Sequence, residues 1–274
     1  MVHTLTPELV NRYLELLGLK RQLPDLKFLG ALVSCHLERV PFENISKLWR
    51  KKRDGSVGIP SAEEYLAGMN DFHFGGTCYS NNYYLNQLLQ ALDFDVRLCG
   101  ADMSNPDVHM VSMVRLDGVE YLVDVGYGAP FWEPIPLILG KKWSLQLGRW
   151  KFKMSQDSSS GGWRMQQFWD GVYEHGYTAK QEAKVLADFE RAIVASYESQ
   201  ATFMTAVMLT RFPPGRAVVV RNLTVTESNR QGNVERRLKD REQLCSEVEC
   251  LFGIPTEITA EALSIVPEPF GPPK

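Results

Sequence analysis

The sequence predicts an α+β protein of 274 residues built from three successive parts. Three observations support this fold class. Apolar residues recur at helical spacing through the first ninety or so residues, and the period changes to that of strands from about residue 94 to 178. Several short strands follow one another there, which favours a closed or nearly closed β-barrel. From about residue 179 helical and strand signals are mixed.

Four helices are predicted in the first part. Thr6-Pro7 is a helix-start pair, with a hydroxyl placed to cap and a proline in the first turn. A second apolar stripe runs from Phe28 to Pro41, and Pro60-Ser61 opens a third helix. Leucines at i, i+3, i+4 and i+7 predict a fourth helix from about residue 79 to 92. The basic run KLWRKKR at 47–53 is interpreted as a solvated loop, with a nucleotide-phosphate site as the second interpretation.

The later parts of the chain carry hairpin and turn signals. Two β-rich runs flank Asp117-Gly118, a dipeptide typical of a tight hairpin turn. Further strands are predicted in WSLQLGRWKFKM and GWRMQQFWD. The last part is predicted to hold a helical stretch at 180–200, two strands around the Pro213-Pro214-Gly215 turn, and a helix at 239–252 that ends at Gly253.

Composition narrows the function classes. The net charge of −3 gives no basic excess for nucleic acid or an anionic membrane, and consecutive apolar residues are too few to span a bilayer. We therefore expect neither partner, and expect a cytoplasmic protein. The five cysteines are odd in number and never form C-x-x-C, so a disulfide framework and a metal site are not expected.

The hairpin predicts a histidine-carboxylate pair. With Asp117 and Gly118 as the two central loop residues, paired positions place Asp124 opposite Val111, and His109 lies on the same face as Val111. His109 and Asp124 are then diagonal neighbours across the ladder. A three-residue bulged turn would shift this register by one residue. Asp124 could also simply cap the turn that follows its strand.

Cys78 is the candidate third member. It follows Gly75 and Gly76 and opens the fourth predicted helix, where free backbone N–H groups and the positive end of the helix dipole favour an anionic sulfur. The glycines are expected to keep side chains away from that sulfur, and the Cys78 N–H could serve an oxyanion. Together the three residues predict a Cys-His-Asp relay for nucleophilic catalysis. Buried filler is the alternative for a single cysteine.

Several motifs resemble those of the arylamine N-acetyltransferase family. VPFENI at 40–45 is similar to its Pro-Phe-Glu-Asn signature, GGTCYSNN to its glycine-glycine-x-cysteine element, and YLVDVGYG at 121–128 to its Val-Asp-x-Gly-Phe-Gly stretch. The motifs occur in the family's order. Weaker matches at YLELLGL, ATFM and LFGIP extend the resemblance over nearly the whole chain.

The resemblance implies a helical bundle over residues 1–93, a β-barrel over 94–178 and an α/β lid over 179–274. It also implies a ping-pong acetyl transfer from acetyl-CoA through a cysteine thioester to an aromatic amine, hydrazine or hydroxylamine. Cys78 matches the nucleophile, His109 the base and Asp124 its orienting acid. Acetyl-CoA is then a substrate, and no permanently bound cofactor is expected.

Binding residues are carried over in the same way. Three aromatic residues match positions that line the acceptor pocket in the family: Phe42, Tyr127 and Phe203. For each the alternative is core packing. Four further residues match or neighbour positions that approach coenzyme A: Gly126, Gly128, Asn105 and Pro106. The alternative for the two glycines is a plain strand-end turn. Glu43 and Asn44 are expected to hold the domain junction by hydrogen bonds.

The chain departs from the family pattern at two positions beside the nucleophile. Relatives usually carry arginine in place of Phe74 and often glutamate or glutamine in place of Ser80, so the local ion pairing must differ. Two rival functions remain open. A thiol hydrolase of the transglutaminase or papain type would use the same relay on amides, and a silent relative would bind coenzyme A or an aromatic ligand without turnover.

Overall fold

The computed structural model of the protein describes residues 5–268 and 270. The first part of the chain is helical, as predicted, and its elements are the following: α1 Pro7–Leu16, α2 Leu26–Arg39, β1 Phe42–Glu43, α3 Ile45–Asp54, α4 Ala62–Phe72 and α5 Cys78–Ala91.

Helix starts in this part follow the predicted capping chemistry. The Thr6 hydroxyl accepts a hydrogen bond from the Leu9 N–H, and Pro7 is the first residue of α1. Ser61 and Glu64 form a reciprocal capping box at the start of α4. These local bonds satisfy N–H groups that a helix leaves without partners, which explains why the starts could be predicted.

The interpretation of residues 47–53 as a solvated loop was wrong. They lie in α3, which follows the strand β1 and ends at Gly55 in the left-handed conformation. Lys47 is only 6% exposed, whereas Lys52 and Arg53 face solvent. A helix that turns Lys47 inward and Lys52 and Arg53 outward produces the same charge run as an exposed loop.

An antiparallel sheet of eight strands forms the second part. Its order is β5-β4-β3-β2-β9-β8-β7-β6. The strands are β2 Asp95–Asp102, β3 His109–Leu116, β4 Val119–Val123, β5 Ile135–Pro136, β6 Trp143–Leu147, β7 Trp150–Gln156, β8 Trp163–Trp169 and β9 Val172–Lys184. Strand residues such as Phe152 and Tyr177 form one hydrophobic cluster with Phe131, which lies in the connection between β4 and β5. This is the nearly closed barrel that the sequence predicts.

The predicted hairpin register is confirmed. Leu116 pairs with Val119, and Ser112 pairs with Val123, so the two-residue turn is the observed one. Asp117 and Gly118 both have positive φ, as the turn requires. Extending the same register places Asp124 opposite Val111, which is the arrangement that brings His109 and Asp124 together.

The third part contains a smaller sheet and, after it, two longer helices. The sheet has the order β1-β10-β11-β12-β13, so β1 from the first part is its edge strand. Its remaining elements are β10 Met208–Arg211, β11 Arg216–Arg221, β12 Thr224–Asn229, β13 Gly232–Arg237, α8 Arg241–Phe252 and α9 Thr256–Leu263. The predicted helix that ends at Gly253 and the two strands around Pro213-Pro214-Gly215 are confirmed.

The helix predicted at 180–200 was wrong over its first residues. Strand β9 continues to Lys184, followed by a 3₁₀ turn at Leu186–Phe189 and two short helices, α6 Glu190–Ala195 and α7 Thr202–Thr205. The backbone of this strand pairs with both β2 and β8, and this pairing overrides local helix propensity. The predicted boundary at residue 178 falls inside β9, and the domain limits stay a prediction.

Packing between the parts positions the nucleophile helix. Helix α5 lies against β2 and β3 of the larger sheet and against α1. Its leucines Leu85, Leu88 and Leu89 are buried in the helical core, while Cys78 at its start belongs to a separate cluster with Met110 and Phe189. Among the described residues no helix is long and apolar enough to cross a membrane.

Candidate active site

Cys78 is the first residue of α5, as predicted. Its side chain is 6% exposed and borders a cavity of about 640 Å³. The sulfur lies 4.0 Å from the Val108 carbonyl oxygen. Thr77 precedes it without a side-chain cap on the helix, so the first N–H groups of α5 are not occupied by a capping side chain. The sulfur therefore lies at an uncapped helix start beside an accessible cavity.

The glycines around Cys78 have roles different from the one expected. A Cβ on Gly75 would lie 1.8 Å from the Pro41 carbonyl oxygen, and one on Gly76 would meet the Ser80 side chain at 2.8 Å, so neither glycine clears space for the sulfur. The glycine against the nucleophile is Gly126, where a Cβ would lie 2.7 Å from the Cys78 Cα. The turn after β4, which contains Gly126, packs directly on the start of α5 because Gly126 has no side chain.

His109 and Asp124 form a buried hydrogen-bonded pair. The His109 Nε2 and the Asp124 Oδ2 are 2.9 Å apart, and the two side chains are 2% and 0% exposed. The Gly126 N–H donates to Asp124 Oδ1 at 3.0 Å. Cys78 and His109 border the same cavity, and the charge of Cys78 is among the influences that raise the pKa of His109. The structure thus brings the three predicted residues together.

Electrostatics favour the ionised form of the pair. Burial lowers the pKa of His109, but the Asp124 carboxylate and the Cys78 sulfur raise it by a larger amount, and the pKa is about 10. Burial likewise raises the pKa of Asp124, but His109, Asn82 and the Gly126 N–H together lower it below its ordinary value. An imidazolium beside a carboxylate results, since each charge offsets the desolvation of the other.

Asn82 is a site residue that the sequence interpretation missed. It lies one helical turn after Cys78 and is 1% exposed. Its side-chain amide donates to Asp124 Oδ1 at 2.8 Å and to the Met110 carbonyl at 2.7 Å, and its oxygen accepts from the Val125 N–H at 2.8 Å. The signal was present as a polar residue four positions after the nucleophile, on the same helix face.

The Asn44 side chain joins the first and third parts, as expected, whereas the Glu43 side chain forms its hydrogen bonds within the first part. The Asn44 amide donates to the Phe203 and Ala206 carbonyls at 3.0 and 2.7 Å, and its oxygen accepts from the Met208 N–H at 2.8 Å. Glu43 accepts from the Ser46 N–H at 2.8 Å and the Gly75 N–H at 3.2 Å. Asn44 thereby fixes the backbone that carries Phe203.

The predicted acceptor residues border the cavity that Cys78 and His109 share. The Phe42 and Phe203 rings meet edge to face with centroids 5.7 Å apart. Tyr127 lies on the other side, 5.6 Å from the His109 ring, and its hydroxyl is hydrogen-bonded to His175 Nδ1. Burial is the main reason that the pKa of His175 falls to about 4, so this ring is neutral at pH 7.

The residues matched to coenzyme A fall into two groups. Gly126 and Gly128 line the cavity. Asn105 and Pro106 are exposed and are not among the described residues that line it, whereas their neighbours Ser104 and Val108 are. Within the described part of the chain no group of three or more His, Cys, Asp or Glu side chains is arranged to hold a metal.

The two departures from the family pattern lie beside a second, smaller cavity of about 40 Å³. Phe74 is buried and packs against Trp49 and Phe72, with ring centroids 5.7 and 5.3 Å away. Ser80 lines the same cavity. An apolar ring thus occupies the position at which relatives usually carry arginine.

Lys47 brings a basic group to this small cavity. Its ammonium donates to the Ser196 carbonyl and hydroxyl at 2.7 and 2.6 Å and lies 3.9 Å from the Tyr197 ring centroid. Burial lowers the pKa of Lys47 to about 7, although the charge of Cys78 raises it in part. The charge-run interpretation did not predict a basic group behind the nucleophile.

A family model described as N-acetyltransferase matches residues 25–261. The chain belongs to this family. The match covers the nucleophile helix, the hairpin and most of the third part, and it confirms the family that the motifs indicate. The predicted acyltransferase class agrees with it.

Curated relatives match parts of the chain. An arylamine N-acetyltransferase of Mycolicibacterium smegmatis is 39% identical over 132 residues, 42% of this chain and 45% of the relative. A protein named proansamycin X synthase, of Amycolatopsis mediterranei, is 29% identical over 202 residues, 68% of this chain and 75% of that protein. The aligned segment spans less than half the length of the first of these relatives.

Solved structures share the fold over almost the whole chain. The arylamine N-acetyltransferase of Mycobacterium abscessus has a TM-score of 0.79 at 20% identity, with 93% of this chain and 94% of that chain covered. That of Mycobacterium marinum in complex with CoA has a TM-score of 0.78 at 22% identity, with 94% and 99% covered. These likenesses confirm the predicted fold class.

Proposed function

We propose that this protein moves an acetyl group from acetyl-CoA, through a thioester on Cys78, to the nitrogen of aromatic amines, hydrazines or hydroxylamines. The observation that carries the proposal is that Cys78 and His109, which is hydrogen-bonded to the buried Asp124, border one cavity of about 640 Å³. Membership of the N-acetyltransferase family supports it. We further propose that the protein works in the cytoplasm, in keeping with its five free cysteines.

In the first half-reaction the anionic Cys78 sulfur attacks the acetyl carbonyl carbon of acetyl-CoA. A new S–C bond forms, the carbonyl electrons move to oxygen, and N–H groups at the start of α5 stabilise that oxyanion. The bond to the coenzyme sulfur then breaks, and the departing thiolate takes a proton from the His109 imidazolium. Free coenzyme A and a neutral acetyl-cysteine result.

In the second half-reaction the acceptor nitrogen attacks the acetyl-cysteine carbonyl. His109 takes the proton that the nitrogen loses, the C–S bond breaks, and Cys78 returns to its anionic form beside the imidazolium. Because Nε2 of His109 is bonded to Asp124, its Nδ1 is the atom that exchanges this proton. Asp124 keeps the ring in that orientation and stabilises its positive charge.

The cavity walls suggest where the substrates lie. We propose that the acceptor ring packs among Phe42, Tyr127 and Phe203, since these side chains border the cavity and offer aromatic contact. The coenzyme residues proposed from the family pattern remain Gly126, Gly128, Asn105 and Pro106. Both substrates reach the same sulfur in turn, as a ping-pong sequence requires.

Intact mass spectrometry tests the proposal. The purified protein is incubated with acetyl-CoA, and we expect one added acetyl group that is absent from Cys78→Ala and is discharged by aniline. Cys250→Ala is the matched control, because Cys250 is an exposed cysteine away from the cavity. An adduct that survives in Cys78→Ala, or no adduct in the wild type, refutes acetyl transfer through this residue.

The rival thiol hydrolase predicts a different result. It would cleave peptide amides without coenzyme A, so peptide cleavage by the wild type together with no acetyl adduct would favour it. An adduct that aniline does not discharge would retain the donor and refute the proposed acceptor. The absence of both an acetyl adduct and peptide cleavage would favour the silent relative.

A further inference from the structure

Two unpartnered polar groups lie at the end of the cavity formed by the smaller sheet. Thr210 of β10 is 8% exposed, and its hydroxyl is buried without a hydrogen-bond partner among the described residues. Among the described residues, the Arg221 side chain of β11 takes part in no ion pair or side-chain hydrogen bond. Both residues border the cavity that contains Cys78.

Strand register explains why these groups share one wall. Arg221 pairs with Met208, and Thr210 lies two residues after Met208 on the same strand face. Met208, Thr210 and Arg221 all line the cavity. The Arg221 guanidinium lies over the Trp150 ring, 5.9 Å from its centroid, so one side is closed by an apolar wall. An arginine in such a place is partly desolvated, and its guanidinium has N–H donors without partners.

The neighbouring charges do not neutralise Arg221 by direct contact. Burial lowers the pKa of Arg221, while Glu174 and Tyr127 raise it. The Glu174 side chain is exposed and accepts a hydrogen bond from Gln167 at 3.1 Å. His175 is engaged by Tyr127 through Nδ1, which leaves Nε2 for a substrate. The cavity also borders Arg164 and Asp102, and Asp102 is paired with Lys180.

We propose that Arg221, with the Thr210 hydroxyl beside it, selects aromatic acceptors whose ring carries an anionic group such as a carboxylate or a sulfonate. This rests on the proposed acetyl transfer and names its acceptor class. A partly buried guanidinium without a partner is costly, and a planar anion that enters with the substrate provides the missing hydrogen bonds. The aromatic body lies among Phe42, Tyr127 and Phe203 while its acidic group contacts β10 and β11.

A second cavity adjoins the large one at Thr210 and Arg221. A smaller cavity of about 20 Å³ shares Gly128, Gln167, Thr210 and Arg221 with the large one. Gly128 has φ +77°, and a Cβ there would lie 3.3 Å from the Thr210 hydroxyl oxygen. A side chain at this position would crowd the Thr210 hydroxyl, and glycine avoids that contact.

The test uses an acetyl-enzyme prepared beforehand and freed of coenzyme A. Its discharge is followed in a single turnover with 4-aminobenzoate, which carries a carboxylate, and with 4-aminobenzamide, a neutral acceptor of similar shape. We expect the wild type to prefer the carboxylate by roughly 10- to 100-fold in apparent second-order rate constant, the range of a charge-assisted hydrogen bond. Arg221→Gln should bring that ratio to about one, and Arg221→Lys should keep part of it.

Two further variants keep the test decisive. Thr210→Val replaces the hydroxyl with a methyl group of similar size and should reduce the preference even if Arg221→Gln does not fold. Arg216→Gln is the matched control, since Arg216 is an exposed arginine on the same strand, and it should retain the wild-type ratio. A ratio near one in the wild type, or an equal preference in wild type and Arg221→Gln, overturns the proposal.

The phosphates of coenzyme A are the other anions that Arg221 could bind. Measurement of the donor half-reaction distinguishes binding of these phosphates from binding of an anionic acceptor. Acetylation of Cys78 is measured with acetyl-CoA and with the uncharged donor 4-nitrophenyl acetate. A rise in KM for acetyl-CoA alone in Arg221→Gln, without a change in acceptor preference, would assign the residue to the donor and refute the acceptor class. Failure of the acetyl-enzyme to form at all would instead refute the proposed function.

Discussion

Two buried bases near Cys78 show opposite behaviour. His109 lies on a strand of the larger sheet against the Asp124 carboxylate, and its pKa rises to about 10 in spite of burial. Lys47 lies on α3 against a carbonyl, a hydroxyl and an aromatic ring, and burial lowers its pKa to about 7. Both side chains are almost fully enclosed.

The difference shows that the partner, and not burial alone, decides the charge of a base in this site. A carboxylate in contact offsets the lost hydration of an imidazolium, whereas neutral acceptors offset less of the lost hydration of an ammonium. The first arrangement keeps a proton available for the leaving thiolate. The second leaves a lysine that titrates near neutral pH, with the Cys78 sulfur as the charge that acts on it.

Removal of the carboxylate should have the largest effect. In Asp124→Asn the imidazole loses its counter-charge and its preferred orientation, so we expect acetylation of Cys78 to slow by about 10³- to 10⁴-fold, the order seen when a relay carboxylate becomes an amide. The measurement is the burst of 4-nitrophenol from 4-nitrophenyl acetate.

Asp117→Asn in the turn of the same hairpin is the control for that substitution. Asparagine tolerates the left-handed backbone that Asp117 adopts, so the burst rate should stay at the wild-type value. A normal rate in Asp124→Asn would show that the carboxylate does not govern His109, and the contrast with Lys47 would lose its basis.

The paired base could be predicted because its geometry is local. His109 and Asp124 are 15 residues apart on one hairpin, and the Asp117-Gly118 turn together with the period of two determines which side chains share a face. Cys78 could be predicted for the same reason, since glycines and an apolar stripe mark the helix that it opens. The larger part of the helical and strand order follows from such short-range patterns.

The unpaired base could not be predicted because its environment is assembled from distant segments. The partner of Lys47 is Ser196, 149 residues further along the chain, in a stretch whose helices are short and preceded by an unexpected strand. Charge in the sequence cannot indicate that Lys47, of the five basic residues on α3, is the buried one. Arg221 was likewise outside every motif, and only the register of β10 and β11 brings it to the cavity.

Substitution of Lys47 should change how stability depends on pH. The lysine pKa falls on folding, so between about pH 7 and pH 10 the unfolded chain binds more protons, and this group makes the free energy of unfolding rise with pH. Lys47→Met lacks this rise. The difference between variant and wild type should therefore change by about 2–3 kcal/mol from pH 7 to pH 9, at most about 1.4 kcal/mol per pH unit.

Urea unfolding at pH 6, 7, 8 and 9 measures that difference. Lys52→Met is the control, because Lys52 is exposed on the same helix and should give a difference that stays constant over this range. A constant difference for Lys47→Met as well would mean that its ammonium keeps an ordinary pKa. In that case the two bases would not differ in the way described.

The smallest effect is expected for Asn82, which supports the His109–Asp124 pair without belonging to it. Asn82→Ala removes the amide that donates to Asp124 Oδ1, while the Gly126 N–H still donates to the same oxygen. We expect acetylation to slow by about tenfold, as is typical for the loss of an outer hydrogen bond to a catalytic group.

The pH profile of acetylation separates positioning from mere loss of stability in Asn82→Ala. If Asn82 acts by holding Asp124 against His109, the upper limb of the profile should move to lower pH, since a less well placed carboxylate raises the imidazole pKa less. Asn86→Ala, one turn later on α5, loses a bond to Ser112 at 2.9 Å and should lower stability without moving that limb. Equal profiles for the two variants would make Asn82 a residue of the fold alone.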